Sequence, residues 1–334
     1  MKFATPLLAF LVALIAASGP SAAESPLLLE RKIPLGEVRG RIDHLAIDVK
    51  RNRLFVAQVE DETVAIVDLI GGKVIHSITG LKKPQGLAYI ATTDVLYVAS
   101  GGDGSVRLFN GDGYSEVGRI NLGEDADNIR EGADRIIVGY GNGGLALIAT
   151  KTGEKVGDIP LKAHPEGFQL DHDTNRAFIN DPANRAIVVV ELATGKEVAS
   201  WPVENDSNFP MALDRASKHV LIASRNPARL AVFSTQDGSS VKATDLCGDA
   251  DDMFVDAKRR RVYVSCGEGF LDIFDMRDGA YSRLARIATV AGARTSLFVP
   301  ELDRLFIAAR ASPKERPALW VFMPNFANED PSTP

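Results

Sequence analysis

The chain has 334 residues, a formal net charge of −6 and two cysteines. An acidic balance of this kind makes nucleic acid an unlikely partner, because phosphate contacts need clustered Lys and Arg. Its one basic run, Lys-Arg-Arg-Arg at 258–261, reads as a solvated turn. Neither cysteine sits in a C-x-x-C pattern, so haem attachment, dithiol redox catalysis and zinc binding all lack support.

The chain opens with Met1-Lys2, an apolar run at 7–17, the helix-breaking pair Gly19-Pro20 and then Ser21-Ala22-Ala23. A positive start, a short apolar core and small residues before the cut describe a secretory signal peptide. We expect residues 1–23 to be removed and the mature chain to begin at Glu24, which takes the formal charge from −6 to −7. The apolar run is too short to span a bilayer comfortably, and no later segment is apolar enough to do so. The predicted location is periplasmic or secreted. Such compartments are oxidising, so Cys247 and Cys266 are predicted to form a disulfide. The loop between them would give a stabilisation of about 3 kcal/mol, less any strain.

Downstream, one unit recurs. Its clearest element, of the form Arg-Leu-Phe-Val-Ala, appears at 53–58, 95–100, 135–140, 176–181, 219–224, 261–266 and 304–309. Each copy is β-branched or aromatic and bounded by turn residues, which predicts a strand. A second strand follows each, then a glycine-bearing turn such as Gly71-Gly72 or Asp237-Gly238, then a more polar third strand. Another strand precedes each copy. Its start aligns as Asp43-His44-Leu45, Gln85-Gly86-Leu87, Asp127-Asn128-Ile129, Glu166-Gly167-Phe168, Phe209-Pro210-Met211, Asp251-Asp252-Met253 and Thr295-Ser296-Leu297. Four strands in about forty residues are the dimensions of a propeller blade. Seven starts predict an all-β, seven-bladed β-propeller over 24–324, followed by a polar tail at 325–334. The last unit lacks its outermost strand, and the β-like segment at 27–35 is predicted to supply it and close the ring. Closure would leave no free sheet edge.

The repeat, with Leu96-Tyr97-Val98-Ala99-Ser100 before Gly101-Gly102-Asp103-Gly104-Ser105-Val106, resembles the YVTN-repeat β-propellers, the YncE-like group. Ala-Ser stands where the consensus has Thr-Asn. The resemblance spans all seven units and implies the fold; the roles of that group are diverse, so it selects no activity.

In a propeller the loops leading into the inner strands gather at one mouth of the central channel, where binding residues concentrate. The apolar position of each start is uniform, whereas the positions before it differ from blade to blade. Uniform core beside varied polar residues is the pattern of a site. The candidate ligand-binding residues are Arg41, Asp43, His44, Lys83, Gln85, Asp127, Asn128, His164, Glu166, Asn208, Asp251, Asp252, Arg294 and Thr295. The competing reading is a hydrated channel mouth whose polar residues satisfy one another. Asp127, Asn128, Asp251 and Asp252 are the candidates for a divalent cation such as calcium, which prefers carboxylate and carbonyl oxygens; otherwise the acids pair with Arg41, Lys83 or Arg294. His44, His164 and Glu166 are the candidate acid/base residues. Asp48, Asp171, Asp214 and Asp256 recur at the far end of the inner strand, where Asp caps turns. Trp201 and Trp320 are expected to pack between blades. The sequence carries no G-x-S-x-G, H-E-x-x-H or phosphate-loop motif. The expected function is a binding or scaffold protein that presents the mouth to a small molecule, ion or partner protein. The alternative is a hydrolase or lactonase, possibly cation-dependent, working at the same ring.

Overall fold

A computed structural model describes Met1 and residues 25–313 and 315–325. The expected signal segment, Met1 aside, and the tail beyond Asn325 lie outside the described residues. Seven four-stranded sheets follow one another, all strand pairs antiparallel. Among the described residues the only helical pieces are two short turns, Arg277–Gly279 and Pro300–Leu302, and no helix is long and apolar enough to cross a membrane.

The second and third strands of each blade are β-branched and aromatic on both faces because both faces are buried. In blade one, Leu54 and Val56 pack with Phe306, Leu319 and Val321 of blade seven, while Phe55 and Ile66 pack with Leu87, Leu96 and Val98 of blade two. Each fully buried side chain of this size contributes roughly 1.5–3 kcal/mol, so every blade depends on two neighbours. Trp201 joins the cluster between blades four and five and Trp320 the one between six and seven, as expected.

The ring closes at both its inner and outer strands. The first inner strand, Ile42–Asp48, neighbours the last, Ser296–Val299. Leu27–Pro34 pairs with Ala318–Pro324 as the outer strand of blade seven, burying Leu27 and Ile33. Arg261 adds a bond from blade six to the carbonyls of Pro26 and Asn325. The basic run at 258–261 is therefore solvated only in part: Lys258 is exposed and Arg260 half-buried, but Arg259 and Arg261 are 4% and 3% exposed. Their charges are taken up by neighbouring carboxylates and carbonyls rather than by water. Cys247 and Cys266 are joined, linking the end of blade five to blade six.

Candidate functional site

The mouth is shaped by a repeated irregularity. In blades one, two, three and five, two residues of the inner strand oppose one residue of the next strand. The pairs are Asp43-His44, Gln85-Gly86, Asp127-Asn128 and Phe209-Pro210. In blade six, Asp251 is the extra residue. Such bulges bend a strand and re-aim its side chains; here they turn ionisable groups into the channel. Gly86, at the second bulge position of blade two, and Gly167, at the aligned position just before the inner strand of blade four, are glycines because the neighbouring blade comes close. A Cβ would lie 1.9 Å from the Asp127 carbonyl oxygen at the first and 2.5 Å from that of Phe209 at the second. Blade seven corrects the sequence alignment by one residue: Ser296, not Leu297, faces Ile307 and so takes the place of Leu45.

The result is a cavity of about 530 Å³, within the usual range for a small-molecule site, roughly 300–1,000 Å³. Eleven of the predicted binding residues line it: Arg41, Asp43, His44, Gln85, Asp127, Asn128, His164, Glu166, Asp251, Asp252 and Arg294. Three do not. Lys83 lines a shallower hollow beside Gly101, Gly102 and Gly104. Asn208 is wholly buried, its amide nitrogen donating to Asn180 and to the Ala186 carbonyl. Thr295 is also wholly buried and donates to the Ile42 carbonyl. His44 of blade one meets Asp252 of blade six, two blades away around the ring.

His44 is the hub of one cluster. Its Nδ1 lies 3.4 Å from Asp252, and its Nε2 lies 3.8 Å from Asp43 and 4.0 Å from Asp127. Burial alone would depress its pKa, but Asp252, Asp43 and Asp127 outweigh that and raise it to about 10. The ring is thus favoured as an imidazolium at neutral pH, a form that can donate a proton but not accept one. Asp252 also accepts from the Ser296 backbone N–H at 2.8 Å.

Asp249 and Asp251 form a second cluster with Arg225 and Arg294. Arg294 lies 2.9 Å from Asp251 and 3.0 Å from Asp249, and Arg225 contacts both acids and lies 3.9 Å over the Phe209 ring. Asp251 therefore has the Arg294 partner allowed for in the sequence, together with Arg225. Asp127 has no arginine partner: its Oδ1 is shielded from solvent without a hydrogen bond. Burial, then repulsion from Asp43, pushes its carboxyl up to about 7. Glu166 behaves alike, pushed up to about 7 by burial and by Asp251. His164 donates from Nδ1 to the Gly141 carbonyl at 2.6 Å, so in the tautomer with its one proton on Nδ1 the acceptor is Nε2. The proposed cation ligands do not converge. Asp251 and Asp252 are engaged by basic groups and a backbone amide, and among the described residues no three His, Cys, Asp or Glu side chains are grouped to hold a metal ion.

Two lining arginines were not foreseen. Arg130 lies deeper, on Ala126–Glu131, where its guanidinium bonds the carbonyls of Phe168 and Ile129. It occupies the position held by Ala46, Ala88 and Ala212 in other blades. Arg225 lies near the end of the second strand of blade five, His219–Asn226, at the position where blades two, three and six carry Gly101, Gly141 and Gly267. A large cation where three other blades carry alanine or glycine was the available signal.

No family model and no curated protein matches the chain. Among solved structures it is similar to the Kuenenia stuttgartiensis hydrazine synthase, at a TM-score of 0.71 and 17% identity, over 80% of this chain and 92% of that one. It is also similar to a chain in a crystal structure of the mitotic checkpoint complex, at a TM-score of 0.76 and 14% identity, over 95% and 98% of the two chains. At these identities the likeness shows the propeller fold alone.

Proposed function

We propose that this is an exported binding propeller, akin to the YVTN-repeat group, that takes a small polar ligand in the channel mouth. The observation that carries the reading is the convergence of different ionisable side chains from successive blades on one cavity, through bulges that aim them there. A plain repeat would place the same residue in every blade. Export is supported by the leader pattern at 1–23 and agrees with the Cys247–Cys266 disulfide.

A hydrolase at the same ring is the second reading. One feature favours it: the Glu166 carboxyl near 7 suits proton transfer at neutral pH. A thermal-shift screen of the mature protein against small cations, anions and neutral polyols separates the outcomes. The binding reading expects at least one class to raise the midpoint, and Glu166→Gln to abolish that rise. A screen in which no class shifts the wild-type midpoint would overturn it, and consumption of a hit in the presence of protein would establish the hydrolase.

A further inference from the structure

We propose that the group seated in the mouth is a primary ammonium, held between Asp127 and Glu166 by three acceptors. This rests on the binding reading above and narrows it. Seven carboxylates line the cavity against four arginines and the His44 imidazolium, so the lining carries an excess of negative charge. The basic groups are already engaged. Arg225 and Arg294 are held by Asp249 and Asp251, Arg41 lies 3.2 Å from Asp43, and His44 is held by Asp252 and Asp43. Arg130 spends two of its nitrogens on the carbonyls of Phe168 and Ile129.

Arg130 Nη2 aside, the lining groups without a partner among the described residues that matter here are acceptors on blades three and four. Asp127 Oδ1 is closed off from solvent without a donor. Among the described residues no hydrogen-bond donor or cation within ion-pair distance reaches the Glu166 carboxylate. His164, which lines the cavity with them, presents Nε2 as its acceptor because Nδ1 is spent on Gly141. Three acceptors suit the three N–H bonds of an ammonium. They do not suit calcium, which requires six to eight oxygens at about 2.3–2.6 Å.

Asp43, His44, Glu166 and His164 face Asp127; Asp251, Arg225, Asp125 and His44 face Glu166. In that field the two carboxyls hold protons near neutrality, and an arriving ammonium must displace them. Calorimetry of the mature protein tests this with 1,4-diaminobutane, calcium chloride and succinate as probes, each at pH 6, 7 and 8 in two buffers of different ionisation enthalpy. The expected result is diamine binding that tightens with pH, by up to about tenfold per unit for each proton displaced, with net proton release to the buffer. Asp127→Asn combined with Glu166→Gln should weaken it more than tenfold while circular dichroism stays unchanged, and Lys83→Met, outside the cavity, should leave it intact. Succinate binding that survives the double variant would overturn the ammonium assignment but leave the binding reading standing. Calcium binding lost in that variant would instead make the pair a hard-cation site. No heat from the diamine at any pH also overturns the assignment, while the broader screen decides the binding reading separately.

Discussion

At the base of the ring the inner strands of blades one, four, five and six end in the same residue, whereas at the mouth the seven starts vary, with Asp43, Asp127 and Asp251 in three blades and Gln85, Glu166, Phe209 and Thr295 in the other four. Asp48, Asp171, Asp214 and Asp256 each accept a backbone N–H from the following turn, at 3.1–3.3 Å. Each also takes a guanidinium, and the arginines tie blades together. Arg51 joins Asp48 to Asp94 of blade two, Arg215 reaches back to Asp171, Arg260 to Asp214, and Arg259 joins Asp256 to Asp303 of blade seven. At the base, then, each acid has its arginine, although Asp214 Oδ2 is buried without a donor of its own. The mouth has the same residue types in excess and out of register, with acceptors left over. The two ends share one backbone, so the difference lies in what the side chains are for. Charge that is repeated and paired holds the ring together; charge that varies and is partly unpaired is available to something else.

The contrast is sharpest in the effect of removing one cation at each end. Arg259 has a side chain only 1% exposed, and its partner Asp256 is equally buried. Arg259→Met should cost about 3–5 kcal/mol, because it leaves Asp256 as an uncompensated buried charge. Tyr263, which donates to the same carboxylate at 2.7 Å, retains part of the site. Urea unfolding measures the cost; a loss below about 1 kcal/mol would place the base among ordinary surface pairs and dissolve the distinction between the ends.

His44→Gln is the corresponding change at the mouth. It leaves Asp43, Asp127 and Asp252 facing one another, but these acids can take up protons, and so the loss at pH 7 should be smaller, about 2–3 kcal/mol. Its signature is the pH dependence. The folded pKa of His44 is raised from 6.5 to about 10, so its contribution is fully present below pH 6.5 and lost as pH rises through 10. Wild type should therefore lose stability between pH 6.5 and 10, and the gap to the variant should narrow over that window. Parallel stability curves would mean that His44 is not an imidazolium in the folded protein.

Much of the fold could be read from the sequence, because each blade repeats the same β-branched strands and the same glycine turns, and repetition averages out local ambiguity. The shared apolar residue Leu45, Leu87, Ile129 located the inner strands for the same reason. The alignment slipped where the pattern is weakest: blade seven places Ser296 in that column, and the adjacent Leu297 drew the register to itself. The site was legible as a column of varied residues but not as a set of contacts. Asp127 and Asp251 occupy the same repeat position, yet one has two arginines and the other has none. Which is which depends on Arg225 and Arg294 arriving from neighbouring blades, and no spacing along the chain encodes that. Arg259, within the run at 258–261, was misread for a related reason: a string of basic residues looks solvated throughout until the facing acids, here Asp256 and Asp303, are placed by the fold.

The smallest effect should come from neutralising the two leftover acceptors, and it should have the opposite sign. Asp127 and Glu166 have folded pKa values raised to about 7 from ordinary values of 3.8 and 4.5. The sign for a raised carboxyl is the reverse of the usual one: the folded state binds more protons than the unfolded state between roughly pH 4 and 7, so stability falls as pH rises across that window and the full cost is present above it. Asp127→Asn with Glu166→Gln removes both ionisations and with them the cost. It also weakens the field that holds the proton on His44, which offsets part of the gain. The net expectation is a double variant more stable than wild type by about 1 kcal/mol at pH 8, with the advantage vanishing near pH 4, read from urea midpoints at both values. At the base the same kind of change, Asp256→Asn, should be destabilising at pH 8, because Arg259 would lose a buried partner. If both ends respond alike, with stability lost at each, then Asp127 and Glu166 are structural acids like those at the base, and the mouth is a hydrated channel rather than a site awaiting a cation.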